Sequence, residues 1–225
     1  YTTLFRSVDY EMCMVGIVTV DDAMAVLQEE ATEDMSMMAG IAPSEDSYFG
    51  TSVWKHVRNR FPWLLFLMLS ATMTGLLLGH YEGALAVMPI LNTFVPMLTG
   101  TGGNCGSQSS TLIIRGLAVD EIEFGDIFKV LFKEIRIALL AGFLLAIVNG
   151  IRIVLMYKDP MLAFAVGLTL MCTVILSKTI GCSLPLIAKK CGLDPAIMAA
   201  PLITTLVDTG TIFVYFTIVT RIFHI

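Results

Sequence analysis

The chain has 225 residues, of which 56% are hydrophobic and 15% charged, with a mean hydropathy of +0.80. Soluble globular domains carry about 25% charged residues, so this composition excludes that class and indicates an integral membrane protein. The net charge of -5 argues against nucleic acid as a partner, because an acidic surface repels phosphates and attracts cations.

Ten of the nineteen acids but only four of the fourteen basic residues precede Phe61, so the acidic character lies at the front. The first sixty residues are polar and mixed, without the form of a signal peptide, and the apolar segments themselves are expected to target the chain. The opening Tyr1 suggests a fragment. Cys13, Cys105, Cys172, Cys182 and Cys191 show neither CxxC pairing nor His spacing, and read as reduced packing residues rather than a disulfide framework or a zinc site.

In chain order, a strand-like stretch from Cys13 to Val20 leads into a helical pattern from Asp21 to Ala39. Asp21 or Asp22 is the expected N-cap, and Gly40 with Pro43 supplies the stop. Ala23, Val26, Leu27, Met35 and Met38 fall broadly on one side of this helix. A second polar stretch, 44–60, carries Trp54.

Five apolar segments follow, at about 62–79, 87–114, 135–157, 160–188 and 195–223. Each is near the roughly 20 residues that a bilayer core demands. Pro62, Pro160 and Pro195 sit at segment starts, where a missing N–H costs little, and Asp194 is a natural N-cap. The expected fold is all-α and polytopic, with five transmembrane helices. Lys55, Arg58 and Arg60, then Arg115, Lys129, Lys133 and Arg136, then Lys189 and Lys190 mark one side of the membrane. The positive-inside rule therefore puts the amino terminus in the cytoplasm and the carboxyl terminus outside.

Asp208 stands in the middle of the uncharged run from Pro195 to Thr220. An acid there costs roughly 2.5–3.5 kcal/mol on insertion scales and tends to face a wet cavity, a partner or a passing ion. Helical spacing places Pro201, Thr204, Thr205, Asp208 and Thr211 near one face, and Pro201 is expected to free the carbonyl of Ile197. The alternative is a protonated Asp208 bonded to a neighbouring helix.

The second segment holds PMLTGTGGNCGSQSST, Pro96 to Thr111. Lipid does not tolerate such a stretch unless it is buried or lines a cavity. Gly102, Gly103 and Gly106 allow close helix approach, while Asn104 and Gln108, one turn apart, either present amide oxygens to an ion or hydrogen-bond between helices. The GxxxxGK[ST] phosphate loop is absent.

In EEATED, Glu29 to Asp34, the acids Glu30, Glu33 and Asp34 repel one another at adjacent helical positions. A divalent cation would relieve this, although a solvated acidic face is the plainer reading. Lys178 is read as snorkelling to the interface, and Glu82, Asn149 and Arg152 as interfacial. His56, His80 and His224 are too dispersed for a metal cluster.

These motifs, together with GIVTVDDAMAVLQEEATEDMSMMAGI (Gly16 to Ile41), FPWLL (Phe61 to Leu65), TGTGGNCGSQSSTLIIRGLA (Thr99 to Ala118) and DPAIMAAPLITTLVD (Asp194 to Asp208), resemble the MgtE family of magnesium channels and transporters. The resemblance implies a CBS-domain remnant over 1–20, a connecting "plug" helix and linker over 21–60, and an ion-conducting domain over 61–225. It also implies a homodimer in the bilayer whose pore is lined by the second and fifth spans. Asp208 would be the ion-selecting carboxylate, with the main-chain oxygen of Thr204 one turn below. Glu30, Glu33 and Asp34 would bind regulatory Mg²⁺. Mn²⁺, Co²⁺ and Ni²⁺ are its expected substitutes.

Passive Mg²⁺ influx is the leading expectation. Exchange against Na⁺ or H⁺ ranks lower, because no second buried acid of comparable depth is evident. An intramembrane enzyme lacks a second positioned group beside Asp208. A membrane-anchored metal sensor would not need Asp208 or the glycine-rich segment.

Overall fold

A computed structural model describes residues 4–44, 47–198 and 200–225, so Tyr1, Thr2 and Thr3 at the start of the predicted 1–20 module, Glu45, Asp46 and Ala199 lie outside the described residues. Strands β1 (Leu4–Val8) and β2 (Met14–Thr19) form an antiparallel hairpin, with Leu4 opposite Thr19 and an irregularity at Ser7/Val8. The predicted first helix is α1 (Val20–Met38). Its N-cap is Thr19 rather than Asp21 or Asp22. The Asp22 N–H donates to Thr19 Oγ1 at 3.2 Å, and the Thr19 N–H donates back to Asp22 Oδ2 at 2.9 Å, a reciprocal capping box that satisfies two otherwise orphaned donors. Gly40 follows with a φ of +68°, and a Cβ there would strike the Trp63 ring. Only glycine meets both conditions.

Helix α2 (Val53–His80) starts from Ser52, well before the predicted 62. Pro62 is therefore inside the helix, not at its start, and the polar residues 53–60 continue the same rod. The predicted second span is divided into α3 (Glu82–Val87), a 3₁₀ turn (Pro89–Phe94) and α4 (Val95–Ala118), consistent with Pro89 and Pro96 each starting a new element. Helix α5 (Ile127–Tyr157) begins eight residues earlier than predicted, α6 (Pro160–Lys190) is capped by Asp159, and α7 (Ala200–Phe223) follows a separate 3₁₀ turn, Pro195–Met198.

Among the described residues, four stretches are long and apolar enough to cross a membrane: Val53–His80, Phe124–Tyr157, Pro160–Lys190 and Pro195–Phe223. They make this an all-α membrane protein apart from the hairpin. The glycine- and hydroxyl-rich α4 is helical, yet it is not among those four.

Helix α6 is the centre. Leu162, Ala165, Val166, Thr169, Val174, Ser177 and Leu186 are fully or almost fully buried along it, and α4, α5 and α7 all pack against it. At one end, Leu91, Phe94, Leu98, Ile153, Leu162, Val166, Tyr215 and Phe216 form the main apolar cluster. Within it the Tyr215 hydroxyl donates to the Leu91 carbonyl at 2.9 Å. By contrast, Leu140, Phe143, Leu144, Val148, Ile151 and Leu155 of α5 are exposed, as befits a lipid-facing side.

Candidate functional site

The glycines of α4 let it close against α6 and α7. A Cβ on Gly102 would lie 2.8 Å from both Thr173 Cγ2 and Val207 Cγ1, one on Gly103 would lie 2.9 Å from Thr204 Cγ2, and one on Gly106 would lie 3.2 Å from the Ser177 carbonyl. A Cβ on Gly181 of α6 would strike the carbonyl of Gly106, so the two backbones touch directly. Asp208 follows Val207 on this packed part of α7 and is half-buried. Among the described residues it has no hydrogen-bond or ion-pair partner.

The surrounding hydroxyls are used locally. Thr204 Oγ1 and Thr205 Oγ1 both donate to the Pro201 carbonyl, at 2.9 and 3.0 Å, and Thr209 donates to the Thr205 carbonyl at 3.2 Å. Thr204 and Thr205 therefore have oxygen lone pairs, not protons, left to offer. Pro201 lies in the first turn of α7, where its missing N–H breaks no helix bond. The expectation for the Ile197 carbonyl is corrected accordingly. It is the Met198 carbonyl that receives a side-chain donor, Ser110 Oγ at 3.2 Å.

On α4, Gly100, Asn104, Gln108, Thr111 and Arg115 are all exposed while Gly102, Gly103, Cys105, Gly106, Ser109 and Ser110 are buried. The spacing of three and four residues makes the exposed set one stripe. Asn104 and Gln108 thus lie on a polar face with nothing of this chain covering it.

Of the three acids singled out on α1, Glu30 and Glu33 are exposed and Asp34 is partly covered. Among the described residues no three His, Cys, Asp or Glu side chains are grouped to hold a metal ion. Helix α1 packs instead on the 3₁₀ turn before α7. Burial, then Asp194, then Glu30 push the Asp34 carboxyl above its ordinary 3.8. Asp194, taken above as an N-cap, does accept a hydrogen bond from the Ala196 N–H at its Oδ1, at 2.7 Å; its second role as a charged neighbour of Asp34 depends on a tertiary contact that sequence spacing does not reveal.

Two readings are overturned here. Lys178 does not snorkel: it is 7% exposed, and its Nζ donates to Ser109 Oγ at 3.0 Å and lies 3.4 Å from Glu134 Oε2. Glu134, 6% exposed, is the second buried acid that the sequence did not disclose. Placing the third span's start at 135 excluded it by one residue. A lysine deep in a long apolar helix was itself the signal, since such a charge requires a partner. Asn149 is also buried, at 8% exposure, with its Nδ2 unpartnered among the described residues, whereas Arg152 is exposed and donates to Met97 Sδ at 3.1 Å.

Long apolar helices wrapped around a core of glycines and hydroxyls, with a half-buried carboxylate that has no partner among the described residues, define a polytopic membrane protein. The profile of MgtE, described as a divalent cation transporter, matches residues 95–218. The chain belongs to the MgtE family. It is 35% identical over 211 residues to the magnesium transporter MgtE of Bacillus subtilis, covering 94% of this chain and 46% of that protein. The magnesium transporter MgtE of Thermus thermophilus is 35% identical over 218 residues, covering 96% and 48% respectively. That of Enterococcus faecalis is 31% identical over 210 residues, covering 93% and 46%. The chain thus spans about half the length of the curated relatives it matches.

Proposed function

We propose that this chain is the membrane-embedded part of a Mg²⁺ transporter, in which Asp208 selects the ion. The observation that carries the reading is a carboxylate on α7 without a partner among the described residues, on the same bundle as the exposed Asn104 and Gln108 stripe of α4. Polar groups at membrane depth need protein or a wet cavity rather than lipid. A second copy of the chain supplies both: α4 and α7 of two subunits enclose a pore, and two Asp208 carboxylates meet across it. The fifth span is then α4, shielded from lipid by its neighbours and by the dimer.

Mg²⁺ dehydrates reluctantly and prefers six oxygens in octahedral geometry. Paired Asp208 carboxylates, the Thr204 main-chain oxygen and the Asn104 and Gln108 amide oxygens suit an ion that keeps most of its water. Mn²⁺, Co²⁺ and Ni²⁺ are substitutes. A potential negative inside contributes about 2.3 kcal/mol per charge per 100 mV, enough to drive a dication inward without ATP. By the positive-inside rule, the basic residues at the helix ends support an amino terminus in the cytoplasm and a carboxyl terminus outside.

Regulation fits the same frame. The hairpin exposes Phe5, Met14, Ile17 and Val18, apolar surface suited to the rest of a CBS domain, and α1 acts as the plug. Intracellular Mg²⁺ would be held by Glu30, Glu33 and Asp34 of α1, with Asp194 facing Asp34. This all-carboxylate set suits a hard dication, whose charge would offset the burial and the repulsion from Asp194 and Glu30 that raise Asp34.

Coupled exchange remains the weaker reading, because the second buried acid, Glu134, is already matched by Lys178. The test is Mg²⁺ uptake into proteoliposomes. Asp208→Asn should abolish flux while leaving a folded dimer; undiminished flux in that variant removes Asp208 from the ion path.

A further inference from the structure

Ser109 of α4, Glu134 of α5 and Lys178 of α6 are 0%, 6% and 7% exposed. The Ser109 hydroxyl donates to Glu134 Oε2 at 2.6 Å and accepts from Lys178 Nζ at 3.0 Å, and the ammonium lies 3.4 Å from the same carboxylate oxygen. Three helices thus converge on one hydrogen-bonded ion pair.

Its place on α4 is informative. Ser109 lies on the side of the helix away from the exposed stripe of Gly100, Asn104 and Gln108. Between the two sides, α4 meets α6 and α7 through Gly102, Gly103 and Gly106. A glycine surface permits close approach but has no side chains to interlock, so it resists rotation of the helix poorly. A buried ion pair contributes little net stability after desolvation, and its best-attested use is to specify register. Ser177, next to Lys178, puts its carbonyl against Gly106, so the pair is attached at the very contact whose rotation is otherwise weakly determined.

We infer that Glu134 and Lys178, acting through Ser109, are positioning residues that set the rotation of α4 about its axis and so aim Asn104 and Gln108 at the ion path. Cys105 reports the alternative. It is 9% exposed and packs with Ala138 and Val174, one position along from the outward-facing Asn104, so a turn of α4 that withdraws the stripe uncovers its thiol.

The experiment uses the whole chain in liposomes, with Gln108→Cys added and modification by a water-soluble methanethiosulfonate mapped by mass spectrometry. With the pair intact, position 108 is modified and Cys105 is protected. Glu134→Leu with Lys178→Met replaces the pair by apolar groups, a change that proteins often accept without loss of stability. In this variant the ratio of modification at 108 to that at 105 should fall roughly tenfold, the change that about 1.4 kcal/mol produces. The reversal, Glu134→Lys with Lys178→Glu, should restore it. An unchanged ratio in the apolar variant, or a reversal that leaves the ratio collapsed, overturns the inference. If the pair variants do not fold, Ser109→Ala takes their place: it keeps both charges, and an unaltered ratio there is equally fatal. Because the readout is thiol modification, it stands even if Asp208→Asn shows the transport reading to be wrong. Mg²⁺ flux, measured in parallel, should fall with the ratio.

Discussion

The helical bundle and the amino-terminal arm solve opposite problems. In the bundle, beside the apolar cluster at one end, small and polar groups face inward where α4 meets α6 (Gly102, Gly106, Ser109, Thr173, Ser177, Lys178), and many large apolar groups face out, as along α5. In the arm, the hairpin and α1 contain no buried residues among those described, and Phe5, Ile17, Val26 and Leu27 are exposed. Outward apolar surface on the bundle needs only lipid; on the arm it needs protein. The comparison teaches that exposed apolar side chains signal a lipid-facing side in one region and a candidate protein-contact surface in the other.

Breaking the bundle's side of this comparison should have the largest effect. Gly106→Leu forces α4 away from Ile203 and from the Ser177 carbonyl, at a cost on the order of 3 kcal/mol or more for an overpacked contact between backbones. Thermal denaturation in detergent should show a strongly destabilised protein, whereas a Gly125→Leu control at an open position should be near neutral. Next comes Tyr215→Phe. It leaves the buried Leu91 carbonyl without the hydroxyl that now donates to it, a loss of about 1–2 kcal/mol visible in the same denaturation.

The arm should respond more weakly. Thr19→Ala removes the side-chain half of the capping box, the Oγ1 that accepts from the Asp22 N–H, and should cost α1 about 1 kcal/mol, read as faster hydrogen exchange confined to the first turn of α1 with the bundle unaffected. The smallest effect should be that of pH on the docking of α1. Asp34 has a raised pKa when docked, so the docked state binds its proton more tightly than the free one. The penalty is fully present at neutral pH and is relieved as pH falls through the raised value toward 3.8. Limited proteolysis of the connection between α1 and α2 should therefore slow on mild acidification. Asp34→Asn should abolish that dependence and protect the connection at neutral pH.

Much was legible in the residues themselves. The hairpin's second strand, α1 and its glycine stop, and the apolar character of four of the spans follow from patterns within one element, where period and capping chemistry act locally. Helix starts were less legible. The rod of α2 runs nine residues before Pro62 because a proline in a helix removes one hydrogen bond without ending the helix when flanking turns hold. The start of α5 at Ile127 brought Glu134 into the bundle, and with it the partner for Lys178.

Sequence alone determined that the protein belongs in a membrane, that Asp208 is anomalous there, and that the stretch from Pro96 to Thr111 had to be shielded from lipid. Each is a statement about a side chain or a short segment against its solvent, which composition and periodicity describe completely. Tertiary structure alone decided which polar groups meet: Lys178 with Glu134, Asp34 with Asp194, Ser110 with the Met198 carbonyl. Those pairings join residues 44, 160 and 88 positions apart. No local rule specifies them, because they depend on how closely glycine-faced helices approach and at what rotation they come to rest.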